Sequence, residues 1–185
     1  IPYILKTLKN LSKSTDVHIG PISIGMHFNP YGESLVSNKK KIRLEMADSD
    51  PRHDQLFSLT WTLAIFIQSI NKESKFFTFN SIYGHHGILN KDNTKRPLYH
   101  LNNFLISLTN SEIFKFNPVN EVYGLKIVLN DKKYYLFVNS SKQKKEINIT
   151  ELNFSYQCKL NLKNYNDIFT NNFSFFNFNK DINPY

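Results

Sequence analysis

The order of helical and strand patterns before residue 112 restricts the possible folds more than any other feature of the sequence. Apolar residues recur at helical spacing at about 3–14, 50–71 and 96–110, and strand patterns lie between them at about 17–26 and 75–82. A helix between two strands indicates a crossover connection, because strands joined by a hairpin need no helix between them. The pattern therefore predicts parallel strands in an α/β fold.

The pattern changes near residue 112, after which the helical periodicity stops. The stretch "YGLKIVLNDKKYYLFVNSS" predicts two strands around a turn at Asn130 and Asp131, and "KEINITEL" and "YQCKLNLKN" predict further strands. The Phe-rich and Asn-rich tail predicts a last strand. We therefore predict a division into an α/β part at 1–112 and an antiparallel β-sheet part at 113–185.

Charge and composition exclude several classes of protein. The net charge is +8, but only three of the 23 basic residues are arginines, and the lysines are scattered. This pattern does not favour nucleic-acid binding, which relies on clustered basic residues and on arginine. No apolar run approaches the roughly 18 residues that span a bilayer. The single cysteine excludes an internal disulfide framework and fits a reducing compartment, so we expect a cytoplasmic protein.

Three stretches of the sequence point to a family. In their order and spacing, "GPISIGMHFNPYG", "DPRHDQLFSLTWTLA" and "RPLYHLNNFL" resemble the C-terminal part of the D-apionate lactonase family, and the resemblance covers residues 2 to about 110. It implies the last strands and helices of a glycoside-hydrolase-like (β/α)8 TIM barrel, followed by an antiparallel β-sandwich portion. It also implies that the other barrel strands are missing from this chain, which alone should be inactive.

The resemblance implies a hydrolase that opens a sugar lactone, D-apionolactone, to D-apionate in the catabolism of branched sugars. Active sites of TIM barrels lie at the C-terminal ends of the strands. Here the two predicted strands end in "HFNPYGES" and "YGHHGI", and the helix that starts at "DPRH" begins beside the first loop. The predicted catalytic residues are His27, His85 and His86, and the predicted substrate-binding residues are Asn29, Tyr31 and Arg52.

Several of these residues also fit simpler explanations. Asn29 and Tyr31 each precede a turn-forming residue, so they could shape the loop without contacting a substrate. His27 stands where the family more often has an arginine. His85 and His86 are neighbours, so their side chains should point in different directions. No HxH or HExxH spacing appears, and we predict neither a metal site nor a cofactor.

The carboxylates separate lactone hydrolysis from glycoside hydrolysis. A retaining glycosidase needs a nucleophilic carboxylate, which the related barrels carry at the end of the seventh strand. Here that strand ends in Met26, His27 and Phe28, and the nearest acid is Glu33. This arrangement favours a lactonase, whose partner is a small sugar lactone. A glycoside hydrolase and a non-catalytic carbohydrate-binding fragment remain alternatives, and the oligomeric state stays open.

Other conspicuous residues are better explained by packing. Trp61 lies mid-helix between apolar neighbours, and we expect its indole to be largely buried. His18 and His100 fit packing positions on a strand and a helix, as do Gly20 and Pro21 on the first strand. His53 fits either packing or a role in the site.

Overall fold

A computed structural model of the chain describes residues 6–7, 10–11, 16–25, 32, 34–70, 74–148 and 161. Within these ranges, no helix is long and apolar enough to cross a membrane. The elements, in chain order, are β1 (Val17–Ile22), a 3-10 helix (Pro51–Asp54), α1 (Leu56–Ser69), β2 (Ser74–Phe79), β3 (Ser81–Tyr83), β4 (Gly87–Leu89), α2 (Pro97–Ser107), β5 (Glu112–Lys115), β6 (Val122–Leu129) and β7 (Lys132–Asn139).

Strands β1 and β2 form a parallel pair, which confirms the predicted crossover. Their register aligns Ile19 with Phe77 and Ile22 with Phe79. Gly20 lies against the second strand so closely that a Cβ atom there would be 2.7 Å from the Cβ atom of Thr78. Only glycine allows this approach, so Gly20 serves the packing of the two strands.

The long helix predicted at 50–71 is divided in two, so its prediction as one continuous helix is wrong. Asp50 caps the 3-10 helix by accepting a hydrogen bond from the backbone N–H of Arg52 at 2.9 Å. Gln55 then adopts an extended backbone, with φ −119° and ψ 167°, before α1 begins. The break turns His53 inward, where its ring reaches the carbonyl of Gly87. This distant contact explains why the helical periodicity did not reveal the break.

One apolar core joins both helices to the antiparallel sheet. Its most deeply buried members are Ile67 of α1, Leu98 and Leu101 of α2, and Leu125 and Ile127 of β6, each at most 2% exposed. These positions follow the helical and strand periodicity seen in the sequence. The core contains residues from before and after residue 112. The division of the chain into two parts at that point remains a prediction.

The sheet after α2 has the order β5-β6-β7 and is antiparallel throughout. Asn130 and Asp131 form the predicted turn between β6 and β7 and have φ values of 48° and 63°. Asn and Asp tolerate such values better than other non-glycine residues, which explains the tight hairpin. Residues 145–148 carry no strand. The other predicted strands lie outside the described residues, apart from residue 161, so the β-sandwich remains a prediction.

Trp61 is not among the fully buried residues of the core. Its side chain is only partly buried and lines an open cleft of about 510 Å³, together with Phe57, Gln68, Tyr123 and Lys142. Leu59, Leu63 and Ile67 of α1 enter the core, and Ala64 belongs to the core and also lines this cleft. Trp61 therefore borders the cleft between α1 and the end of β7.

Candidate active site

The C-terminal ends of β1 and β2 hold two neighbouring loops. The described part of the first comprises residues 23–25, 32 and 34–50, and the second, from Asn80 to Arg96, contains the short strands β3 and β4. The backbone N–H of Asn80 donates to the carbonyl of Ile22 at 2.9 Å, which ties the ends of the two strands together. Any site built on these strands therefore draws side chains from both loops.

Three of the six predicted site residues lie outside the described residues: His27, Asn29 and Tyr31. The other three, Arg52, His85 and His86, all belong to the loops or the helix start at this end of the strands. Their roles in the site remain predictions.

Arg52 is held in a two-pronged ion pair at the start of the 3-10 helix. Its Nε and Nη2 atoms donate to the carboxylate of Asp50 at 2.9 and 2.6 Å, and the guanidinium lies 5.1 Å from the ring centre of Phe57. The hydrogen bonds from Arg52 lower the pKa of Asp50, and the same contacts raise the pKa of Arg52. A third of the Arg52 side chain is exposed, at 34%. A fixed cation therefore stands at the edge of the first loop.

His85 and His86 point in different directions. His85 Nε2 lies 4.0 Å from a carboxylate oxygen of Asp48, and its side chain is 42% exposed. The His86 ring lies just beyond the end of β1, with Nδ1 3.4 Å from the carbonyl oxygen of Ile24. A Cβ atom on Gly25 would be 3.1 Å from Cε1 of His86, and Gly25 has φ +99°. Glycine at this position therefore makes room for the imidazole and permits the backbone turn.

Behind these histidines, two buried basic side chains hold the "GHHG" loop. Arg96 is 8% exposed, and its Nη1 donates to the carbonyls of Gly84 and Gly87 at 2.7 Å each. Its Nε donates to Asp54 at 2.6 Å. His53, 1% exposed, donates from Nε2 to the same Gly87 carbonyl at 2.9 Å. These contacts fix both ends of the loop.

The sequence interpretation missed Arg96 and left His53 undecided. A signal for Arg96 existed, because arginine is rare in this lysine-rich chain and its fork suits several carbonyls at once. Burial is the main cause that lowers the pKa of His53. The ring is therefore neutral near pH 7, with a hydrogen on Nε2 and a lone pair on Nδ1.

The polar loop after β1 is ordered by a buried asparagine. Asn38 is 6% exposed, and its Nδ2 donates to the carbonyls of Ile42 and Ser49 at 2.6 and 2.9 Å. Burial opposes ionisation of Asp48, but hydrogen bonds from the Asn38 N–H and the Ser49 hydroxyl, with the nearby charges of His85 and Lys91, lower its pKa overall. The loop thus presents an ionised carboxylate beside His85.

The arrangement suits proton transfer and anion binding. Imidazole can exchange a proton near neutral pH, and the Arg52 guanidinium can stabilise negative charge. Among the residues that the structure describes, no group of three or more His, Cys, Asp or Glu side chains is placed to hold a metal ion.

Comparison with known proteins decides the family. The sequence model of the family "D-apionate lactonase, TIM barrel domain" matches residues 1–110. The chain belongs to the D-apionate lactonase TIM-barrel family. This confirms the resemblance carried by the three sequence stretches. The parallel pair β1 and β2, with its intervening helix, agrees with a part of that barrel domain.

A curated D-apionate lactonase from Brucella anthropi is 30% identical to this chain over 105 residues. The match covers 54% of this chain and 17% of that relative. The chain thus spans about a sixth of the length of the lactonase that it matches. No solved structure matches the chain.

Proposed function

We propose that the complete protein containing this chain is a lactonase that hydrolyses D-apionolactone to D-apionate. The observation that carries this proposal is the position of His86, whose ring in the connection after β2 lies beside Ile24 and Gly25, just beyond the end of β1. Membership of the D-apionate lactonase family and the relative from Brucella anthropi support the choice of substrate.

Lactone hydrolysis needs a base, an acid and a group that stabilises an oxyanion. Water attacks the lactone carbonyl carbon while a base accepts one of its protons. The tetrahedral intermediate then breaks the bond between this carbon and the ring oxygen. The ring oxygen takes up a proton and becomes the hydroxyl of the open-chain acid.

His86 and Arg52 have suitable chemistry for two of these roles. We assign the proton transfer to His86, because its ring lies at the strand ends, whereas the ring of His85 lies beside the carboxylate of Asp48. Arg52 would stabilise the oxyanion or bind the carboxylate of the product, held in position by Asp50. Catalysis by His27 and lactone binding by Asn29 and Tyr31 belong to the same proposal.

The carboxyl groups of Asp48 and Asp50 do not suit the alternative of a glycoside hydrolase. In a retaining glycosidase one carboxyl group must stay protonated as the general acid, which requires a raised pKa. The pKa values of Asp48 and Asp50 are both lowered, and Asp50 is tied to Arg52. Neither carboxyl group suits the role of the acid.

Four variants of the full-length protein test the proposal, with D-apionolactone hydrolysis followed by release of acid. His86→Gln should lower kcat by about 10²–10⁴-fold, the usual range for loss of an acid–base group. Arg52→Lys should lower kcat/KM, because lysine cannot reproduce the two-pronged contact with Asp50. His18→Gln is the matched control at the same pair of strands, where the ring forms a hydrogen bond with the Thr78 hydroxyl at 2.7 Å.

The control should retain wild-type kinetics, and a fourth variant, His85→Gln, should reduce kcat less than His86→Gln does. Wild-type kcat and KM in a folded His86→Gln protein would refute the assignment of the base. A wild-type protein that binds the lactone without hydrolysing it would favour the carbohydrate-binding alternative.

A further inference from the structure

Asn80 occupies the position directly after β2, at the C-terminal end of the parallel pair. Its backbone has φ +57°, and its N–H donates to the carbonyl of Ile22 at 2.9 Å. The next residue, Ser81, donates its N–H to the carbonyl of His86 at 3.0 Å. Asn80 is therefore connected to the end of the first strand and to the loop that carries the proposed base.

The side chain of Asn80 is buried without a hydrogen-bond partner. The residue is 6% exposed, and within the described part of the chain neither Nδ2 nor Oδ1 has a partner. Buried carboxamides are nearly always hydrogen-bonded, because an unpaired polar group loses its water without compensation. Both ends of this carboxamide thus require a partner outside the described residues.

The two unpaired atoms define the chemistry of that partner. A carboxamide offers a donor and an acceptor side by side in one plane. Two neighbouring hydroxyl groups complement it, since one can donate to Oδ1 while the other accepts from Nδ2. We propose that Asn80 binds a vicinal diol of a polyhydroxylated ligand at the C-terminal end of β2.

This inference rests on the proposed function to the extent that the ligand is a sugar lactone or its ring-opened acid. Such molecules carry neighbouring hydroxyls, and a site built to pair with hydroxyls discriminates strongly against analogues that lack them. Asn80 would therefore determine specificity for hydroxylated lactones, while His86 acts at the carbonyl.

The test compares Asn80→Gly with Asn110→Gly in the full-length protein. Glycine adopts the positive φ of Asn80 without strain, so the substitution removes the carboxamide alone. Asn110 is the matched control, because it has φ +67° and is exposed, shortly after the C-terminal end of α2. Binding of D-apionate and of 4-hydroxybutyrate, which lacks the vicinal diol, is measured by calorimetry, and thermal unfolding is measured alongside.

Asn80→Gly should weaken D-apionate binding about tenfold to a hundredfold, as expected for two lost hydrogen bonds. Its affinity for 4-hydroxybutyrate should match that of Asn110→Gly. The melting temperatures of the two variants should agree to within about 2 °C. The inference would be overturned if Asn80→Gly weakened the binding of both ligands equally, or if it left D-apionate binding unchanged. It would also be overturned by a melting temperature far below that of the control, or by a wild-type protein that binds neither acid.

The same experiment separates this inference from the proposed function. If the wild-type protein binds D-apionate through Asn80 but hydrolyses no lactone, the diol site is supported and the lactonase proposal fails. If the wild type hydrolyses D-apionolactone and Asn80→Gly retains the wild-type KM and the affinity for D-apionate, the lactonase proposal is supported and the diol site fails.

Discussion

Replacing Arg96 with alanine should destabilise the protein and slow lactone hydrolysis, because this side chain holds the loop that carries His85 and His86. The Arg96 side chain is 9% exposed and makes an ion pair with Asp54 at 2.6 Å. Its Nη1 also donates to two loop carbonyls at 2.7 Å each. The substitution would remove all three of these contacts at once.

The size of the effect depends on what each partner retains. The Gly84 carbonyl also accepts the N–H of Gly87 at 3.0 Å, and the Gly87 carbonyl also accepts from His53 at 2.9 Å. Neither carbonyl would be left unpaired, and the Asp54 side chain, 39% exposed, would regain water. A hydrogen bond to a charged group contributes about 1.5 kcal/mol at the low end of its range, and Arg96 donates two such bonds to the loop carbonyls. The exposed ion pair with Asp54 adds little. We therefore expect the free energy of unfolding to fall by about 3 kcal/mol.

Denaturant unfolding of the full-length protein measures this loss, and kcat for lactone hydrolysis reports the position of the loop. Arg96→Lys should recover the charge but not the stability, since an ammonium cannot span the same acceptors. The control is Lys95→Ala at the exposed neighbour, which should change stability by less than about 0.5 kcal/mol. Wild-type stability in Arg96→Ala would refute the role of Arg96 in holding the loop.

Two further predictions concern His53 and Trp61. Burial lowers the pKa of His53 from its ordinary value of 6.5, so the unfolded chain binds more protons and stability should fall as the pH drops below about 6.5, while staying level above it. His53→Gln should flatten this dependence in denaturant unfolding, and parallel pH profiles for variant and wild type would contradict the prediction. Trp61→Ala should cost about 1–2 kcal/mol, less than the 3–5 expected for a fully buried aromatic and less than Leu63→Ala. A larger loss for Trp61→Ala than for Leu63→Ala, measured by the same unfolding, would show that the indole is part of the core.

Local periodicity in the sequence was sufficient to predict several of the helices and strands near the site. The helical spacing around Leu98 and Leu101, and the strand pattern at about 75–82 that contains β2, were visible in the sequence because each pattern depends on neighbouring residues. The turn at Asn130 and Asp131 was predictable for the same reason, since turn chemistry lies in a few adjacent residues. The parallel pairing of β1 and β2 followed from the helical pattern between them.

The contacts that build the candidate site depend on residues far apart in the chain. His53 reaches a carbonyl 34 positions away, and Arg96 reaches a carboxylate 42 positions away. No local pattern marks such partners, so the break at Gln55 and the distant partners of both side chains were not predictable. The sequence by itself determined the family, helix α2 and the parallel pair β1 and β2, because these follow from short-range patterns and matching stretches. Only the tertiary structure decided which polar side chains are buried, because burial depends on what the rest of the fold places around each of them.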